Sequence, residues 1–448
     1  MNAQPVSGAY RKYVLYILLV VYTFNFIDRQ IFAILAPAIQ ADLGLNDTQL
    51  GLLMGFTFAL FYSVLGIPIA RVADKHNRVA IISVSLALWS GMTALCGLAQ
   101  NFIQLAAARV GVGVGEAGCS PPAHSIISDY FPKEERASAL AVYSSGIYFG
   151  MGFAFLAGGW LVVELGWRWA FVAVGLPGVL LSVLVALTLK EPQRGAQEAA
   201  PMAAGDAPPI IECIKTLFSI PSYRAICLAV SCTSFAGYAV ASWIVGFLTR
   251  VRGIEYEELS IPMAIVFGVG GAIGALVGGR ITERAGKNDP AAYLRIPGYA
   301  ILLMSPFYLL GLIVEAPILL YACMFVAIGF SAFYLGPSFS LVQTLAPIKM
   351  RAFSTALFFL IVNFVGLGGG PLFVGVLSDL FTAQTGDAAK ALQWAMFGLV
   401  FVYFVAAALF LIAARGLKQD WDTANALNSA DGSSAVFAAN GDETQKAE

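Results

Sequence analysis

Four charged residues stand where charge is costly. Asp28 and Arg29 interrupt one long apolar run, and Arg109 and Glu116 interrupt another. A charge at the centre of a membrane helix costs roughly 2.5–3.5 kcal/mol on insertion scales, so each must face a cavity or a partner. Arg109 and Glu116 are two helical turns apart, which puts them on one face about 10 Å from each other along the axis. Gly111, Gly113 and Gly115 lie between them and let a neighbouring helix come close. Burial disfavours the ionised form of an acid, and a nearby Arg favours it. Arg itself keeps its charge. This chemistry suits a proton switch. If Asp28 or Glu116 pairs with an Arg in one conformation only, protonation shifts the conformational balance. The released Arg29 or Arg109 can then hold an anionic headgroup bidentately. The alternative is a permanently paired quartet that only packs helices, and two acids against two Arg suit that as well. No comparable charges occupy the matching points of the second half of the chain. A packing device would have less reason to avoid one half.

The elements that position these charges are membrane helices. Of 448 residues, 59% are hydrophobic and 12% charged, about half the charged share of a soluble protein. Mean hydropathy is +0.78. Apolar runs long enough to span a bilayer occur at 13–38, 49–71, 79–99, 102–128, 137–164, 169–190, 223–249, 261–282, 295–314, 317–344, 352–380 and 392–415. Backbone groups in lipid must be satisfied internally, so an all-α protein with twelve transmembrane helices is expected, not a barrel. The first run lacks a small-residue cleavage site and reads as a retained span. Pro121 and Pro122 are expected to kink the fourth span.

Function classes fall away with the same residues. A net charge of −1 leaves no basic field for nucleic acid. Six cysteines without C-x-x-C spacing, and only His76 and His124, give neither a metal set nor a disulfide scaffold. No phosphate-cradling G-x-x-x-x-G-K-[ST] run is present, so ATP is not the expected energy source and no cofactor is called for. An enzyme is not expected. His124, near the end of the fourth span, could relay protons, but an ordinary polar residue at the interface is the simpler reading.

Loop charges set orientation. With the N-terminus inside, the cytoplasmic face collects Arg11, Lys12, Arg71, Lys75, Arg78, Arg280, Arg284, Lys287, Arg415 and Lys418, among others. The opposite face holds Arg168, Arg250, Arg252 and Lys390. Both termini are therefore expected in the cytoplasm, in a multi-pass protein of the plasma (inner) membrane. The Ala/Pro/Gly-rich stretch within 191–220 reads as a cytoplasmic linker between six-span halves at 1–190 and 221–418. The tail at 419–448 shows no apolar period and is expected to be disordered.

The halves repeat one another. The loop Ala70-Arg71-Val72-Ala73-Asp74-Lys75-His76-Asn77-Arg78 aligns with Gly279-Arg280-Ile281-Thr282-Glu283-Arg284-Ala285-Gly286-Lys287. Asp74 then matches Glu283, and Arg78 matches Lys287. Gly150, Gly152 and Gly159 match Gly366, Gly368 and Gly375 at one constant offset. Parallel repeats place a binding site between the halves, near the bilayer midplane.

This twice-used acid-and-base loop resembles the signature loop of major facilitator superfamily transporters. Family members usually carry Gly where this chain has Ala70 and Asn77, and Asn tolerates the left-handed turn that the Gly allows. Within the superfamily, Asn25-Phe26-Ile27-Asp28-Arg29 resembles the spinster-type branch. So does the Gly115-Glu116-Ala117 segment running on to Ser128-Asp129-Tyr130-Phe131-Pro132. The resemblance implies two pseudo-symmetric six-helix bundles around a central cavity lined by spans 1 and 4, where Asp28, Arg29, Arg109 and Glu116 can meet. It also implies an interdomain latch from Arg71, Asp74, Arg78, Glu283, Arg284 and Lys287, with Asp74 near the N-terminal end of span 11, where an anion is favoured. The plain alternative for these charges is topology signalling alone.

The facing wall is aromatic and weakly polar. It offers Ser231, Thr233, Ser234, Tyr238, Ser242 and Trp243 in span 7, Phe330, Phe333, Tyr334 and Phe339 in span 10, and Phe358, Phe359 and Asn363 in span 11. Of these Tyr238, Trp243, Phe333, Tyr334 and Asn363 join Arg29 and Arg109 as candidate substrate contacts. Any one aromatic could equally be helix packing. Such a cavity suits an amphipath, with its head at an Arg and its tail on the rings. The spinster branch is associated with sphingolipid-type and lysophospholipid substrates. The expectation is a monomeric proton-coupled secondary transporter of a lipid-like substrate, with protons and membrane lipids as its other partners. A proton-linked symporter of small organic anions and a non-transporting membrane sensor stand as alternatives.

Overall fold

The structure is a computed structural model that describes residues 7–195, 209–347 and 350–444. Its elements are helical because the chain has no aqueous partner for its backbone over most of its length. The first half comprises α1 (Gly8–Leu43), α2 (Asp47–Gly51), a π-helical turn (Leu52–Phe56), α3 (Thr57–Lys75), α4 (Arg78–Cys96), α5 (Phe102–Glu116), α6 (Ser120–Tyr130), α7 (Lys133–Ser144) and α8 (Gly146–Thr188). A short α9 (Ile210–Ser219) follows. The second half comprises α10 (Pro221–Arg250), α11 (Tyr256–Ala264), a π turn (Ile265–Gly270), α12 (Gly271–Gly286), α13 (Ala292–Ile313) and α14 (Pro317–Ser331). After a 3-10 turn (Ala332–Tyr334) come α15 (Leu335–Leu345), α16 (Arg351–Val362), a π turn (Asn363–Gly369), α17 (Gly370–Thr385) and α18 (Ala388–Thr444).

Local chemistry sets several of these boundaries. Asn46, Asn77 and Asn101 each accept a hydrogen bond from the third backbone N–H of the helix they open. Asn77 thus works as an N-cap in a right-handed, extended conformation (φ −63°, ψ 113°), not as the left-handed turn residue expected. Gly44 ends α1 at φ 62°, where a side chain would be strained.

Among the described residues, ten helical stretches are long and apolar enough to cross a membrane. The difference from the twelve expected has two physical causes. The fourth span is two short helices, broken at Ala117–Cys119, and Pro121 and Pro122 occupy the first turn of α6 instead of kinking a continuous helix. Spans 5 and 6 form one unbroken stretch that reverses at Gly166 (φ 73°, ψ 163°), a backbone conformation that glycine allows. Counting the broken span and dividing α8 at Gly166 restores twelve crossings.

Two further expectations change. Part of the linker is helical: α9 turns Cys213 and Leu217 inward and leaves Ile210, Ile211 and Ile214 exposed. The rest of the linker, 196–208, lies outside the described residues, as do 445–448. The chain also stays helical past Lys418. Trp421 stacks on Tyr293 at 5.8 Å, and Asp420 accepts from the Ser222 amide at the start of α10 at 2.8 Å, so the first turn of the tail is held against the second half.

α1 to α8 pack chiefly on one another, as do α10 to α18. The halves touch along α2 and α17, α8 and α11, α1 and α10, and α3 with α16 and the π turn that follows it. At one end, that of Asp47, Arg250 and Asp379, side chains of the two halves hydrogen-bond directly. At the other, which carries the exposed loop residues Arg71, Lys75, Arg284 and Lys287 and is here called the basic end, α6 touches first-half helices and α15 second-half helices.

Candidate functional site

α1 and α5 bring the four buried charges together. Arg29 donates from Nε to a Glu116 carboxylate oxygen at 2.6 Å. The Glu116 side chain is fully shielded, while that of Arg29 is 11% exposed. The Arg29 guanidinium also stands over Tyr62 at 4.5 Å and over Phe26 and Phe58 at 5.2 Å. Arg109 is buried as well. Its Nε donates to the Leu53 carbonyl at 3.2 Å, and its guanidinium lies over Phe32 (4.8 Å) and Phe58 (5.1 Å). Arg109 makes no ion pair among the described residues. Asp28 makes none either; the indole of Trp89 and the hydroxyl of Thr93 face its carboxylate, and Asn25 faces Glu116, all without well-formed hydrogen-bond geometry. The four charges are therefore not a closed quartet. One pair is made, and one Arg and one acid are left over.

The glycines of α5 make this arrangement possible. A Cβ on Gly113 would meet the Phe58 carbonyl oxygen at 2.6 Å, and one on Gly115 the Trp89 amide nitrogen at 2.6 Å. α5 is thus pressed against α3 and α4 at backbone distance, and Glu116 is carried into the bundle next to α1.

A cavity opens between the halves beside these charges. Arg29, Arg109 and Gln30 line it from the first half, Tyr238 and Ser242 from α10, and Phe26, Phe32, Phe58, Met54, Met151 and Leu367 form its apolar surface. Gln30 closes one side by donating across the halves to the Ala241 carbonyl at 3.0 Å. Sequence reasoning found the two Arg and Tyr238. It missed Gln30, Met54, Met151 and Phe58, whose apolar or amide side chains carry no pattern that separates cavity from core.

Other candidates lie elsewhere. Trp243 is buried and donates to the Pro371 carbonyl at 2.8 Å, so it ties α10 to α17 and does not line the cavity. Phe333 packs on Phe330 and against Gly278 of α12. Tyr334 shares a hydrogen bond with Ser234 at 3.2 Å, behind the cavity wall. Asn363 begins a π turn and is half-buried, away from the cavity lining. His124 packs edge-on against Tyr143 at 5.3 Å.

The loop charges divide. Arg78 is buried and joins a network within the first half: Nε donates to Glu191 at 2.6 Å, and Nη1 to Ser125 at 2.6 Å and to Asp129. Its partners come from α6 and from the start of the linker, so it does not bridge the halves. Arg71, Glu283, Arg284 and Lys287 are exposed, and no ion pair joins them among the described residues. The Asp74 side chain lies outside the described set.

Two helical bundles packed face to face around a charged central cavity define a secondary-transporter fold. The chain matches the Major Facilitator Superfamily over residues 18–371, and it belongs to that family. It is 35% identical over 407 residues to an MFS-type efflux pump of Mycolicibacterium smegmatis (strain ATCC 700084 / mc(2)155), covering 90% of this chain and 92% of that protein. It is 27% identical over 448 residues to protein spinster homolog 1 of Xenopus tropicalis, covering 94% of this chain and 84% of that one. Its structure is similar to that of a bacterial homolog of the human lysosomal transporter spinster in an inward-facing, unoccupied conformation, with a TM-score of 0.84 and 33% identity over 93% of this chain and 99% of that one. The spinster-type resemblance and the superfamily fold are thus borne out, and the protein is an integral membrane transporter, not an enzyme.

Proposed function

We propose that the protein is a proton-coupled transporter of an anionic amphipath, working by alternating access, with both termini in the cytoplasm of an inner membrane. The observation that carries this reading is the unequal state of the four charges. Glu116 is paired with Arg29, Asp28 is sealed beside Trp89 and Thr93 without a direct ion pair, and Arg109 lines the cavity without a direct ion pair among the described residues. An ionised carboxylate buried without an ion pair is costly, so Asp28 is the seat of the proton in this conformation. With Asp28 neutral, the site carries one surplus positive charge at Arg109. A phosphate or carboxylate headgroup neutralises it, and the apolar lining from Phe32, Phe58, Met54 and Met151 would meet a chain once this cavity, about 50 Å³ here, widens in the cycle. Release of the proton from Asp28 would supply a competing anion for Arg109 and expel the headgroup. On this reading the basic end is cytoplasmic from its loop charges, and the outer end, where the halves hydrogen-bond directly, is the closed one. That agrees with the inward-facing state of the similar bacterial structure. The spinster and efflux-pump relatives support transport, and the apolar lining beside Arg109 supports an amphipathic cargo.

The test is uptake into proteoliposomes of a single-chain anionic lysophospholipid, with a short-chain carboxylate in parallel. Rates that rise with an inward proton gradient and fall with uncoupler, for the lysophospholipid alone, are expected. Rates indifferent to both gradient and uncoupler would overturn proton coupling. Preference for the short carboxylate would favour the organic-anion reading, for which the compact Arg109 pocket is the supporting feature.

A further inference from the structure

Among the described residues, the strongest set of polar contacts between the halves involves none of the residues expected to form a latch. It lies at the end opposite the basic end. Asp47, the first residue of α2, is buried at 4% exposure. Arg250, the last residue of α10, grips it with two bonds, from Nη1 at 2.7 Å and from Nη2 at 3.0 Å. The Ser378 hydroxyl of α17 donates to the same carboxylate at 2.6 Å, and the Gln40 amide of α1 does so at 2.6 Å. Arg250 returns a bond to Gln40. From α17, Asp379 accepts from the backbone amides of Asp47 and Thr48 at 3.1 and 2.8 Å. The helices meet at backbone distance here: a Cβ on Gly375 would lie 2.3 Å from the Asp47 carbonyl oxygen, and one on Gly51 2.6 Å from the Pro371 carbonyl oxygen.

Every one of these contacts except that between Gln40 and Asp47 crosses from one half to the other. A rocking motion that opens this end must break them together, since Arg250, Ser378 and Asp379 would leave with the second half. Bidentate Arg–carboxylate pairs are stronger and more directional than single ones. A buried carboxylate stripped of its cation and hydroxyl is left costly.

We propose that Asp47 and Arg250, reinforced by Gln40, Ser378 and Asp379, form the latch that holds the outer end of the cavity shut, and that Arg250 and Asp379 are positioning residues for the transport cycle. The proposal rests on the alternating-access reading above. It differs from the expected basic-end latch in place and in residues, and it needs no protonation event.

The experiment labels a cavity reporter, Ser242→Cys, with a membrane-impermeant maleimide applied from the outer side of oriented proteoliposomes. Ser242 lines the cavity beneath the latch. Arg250→Gln and Asp379→Asn are each expected to speed outer labelling by about tenfold or more, because each removes at least two charge-assisted bonds from the closed state only. Ser378→Ala, which removes one hydroxyl and leaves the ion pair, is expected to give a smaller increase of the same sign. Thermal melting of each purified variant identifies those that are folded. Folded Arg250→Gln and Asp379→Asn proteins that label at the parental rate would overturn the latch. Should either variant fail to fold, the Ser378→Ala rate decides, and no increase there overturns it. The readout is independent of cargo. Faster outer labelling without proton-driven lysophospholipid uptake would leave the latch standing and remove the proposed function, and uptake with unchanged labelling would do the reverse.

Discussion

Glu116→Gln isolates one ion pair. The substitution keeps the side chain's size, so α5 retains its close approach to α3 and α4. What disappears is the 2.6 Å pair with Arg29. Removing one partner of a buried pair costs about 3–5 kcal/mol. Arg29 is not left wholly stranded, for its guanidinium keeps the rings of Tyr62, Phe26 and Phe58 at 4.5–5.2 Å and its side chain is 11% exposed. Those contacts pull the cost to the lower end of the range, about 3 kcal/mol. Where the pair exists only in the conformation open at the basic end, this shifts the balance away from that conformation by about two decades. Spin labels at Lys75→Cys and Lys287→Cys, both exposed at the basic end, report the opening as a distance distribution. The parental protein, with the pair intact, is expected to populate the long distance. With Glu116→Gln the short distance should dominate. A folded variant that keeps the parental distance distribution would refute the reasoning.

Three other outcomes follow from the geometry. Arg109→Gln should weaken binding of an anionic lysophospholipid by roughly tenfold to a hundredfold while leaving a neutral single-chain lipid nearly unaffected; equal loss for both, by thermal-shift titration, would make Arg109 a packing residue. Gly115→Val should collapse the folded yield, read by size-exclusion recovery, because its side chain would enter the space of the Trp89 backbone. Arg78→Ala takes the cation from Asp129 and Glu191, which keep backbone amide donors from Gly195, Arg78 and Val79, and a loss of about 1–3 kcal/mol should appear as a lower melting temperature with the cargo preference unchanged; an altered preference would place Arg78 in transport instead.

The sequence carried the ionic core of this protein because charge inside an apolar run is rare and expensive. Asp28, Arg29, Arg109 and Glu116 stand out against leucines and alanines, and the spacing of Arg109 and Glu116 put them on one face. The internal repeat carried the two-bundle architecture. What stayed hidden depends on direction rather than residue type. Trp243 has the chemistry of a cavity residue, but its indole N–H meets the Pro371 carbonyl, and no pattern in span 7 shows which way it turns. The break in the fourth span comes just before the proline pair, at Ala117-Gly118-Cys119, where a single Gly does not stand out in a run already rich in glycine (Gly111, Gly113, Gly115). Asp47 and Arg250 are 203 residues apart and each looks like an ordinary loop charge. Their pairing emerges only once α2, α10 and α17 are packed.

Proton movement by the protein itself tests the central claim most directly. Purified protein in lightly buffered proteoliposomes, with a pH-sensitive dye outside, should alkalinise the medium when an anionic lysophospholipid is added. Asp28→Asn should abolish that signal while exchange of the lysophospholipid across the membrane continues. Proton uptake by the Asp28→Asn variant equal to that of the parental protein would contradict the assignment of the buried acid without an ion pair as the proton's seat.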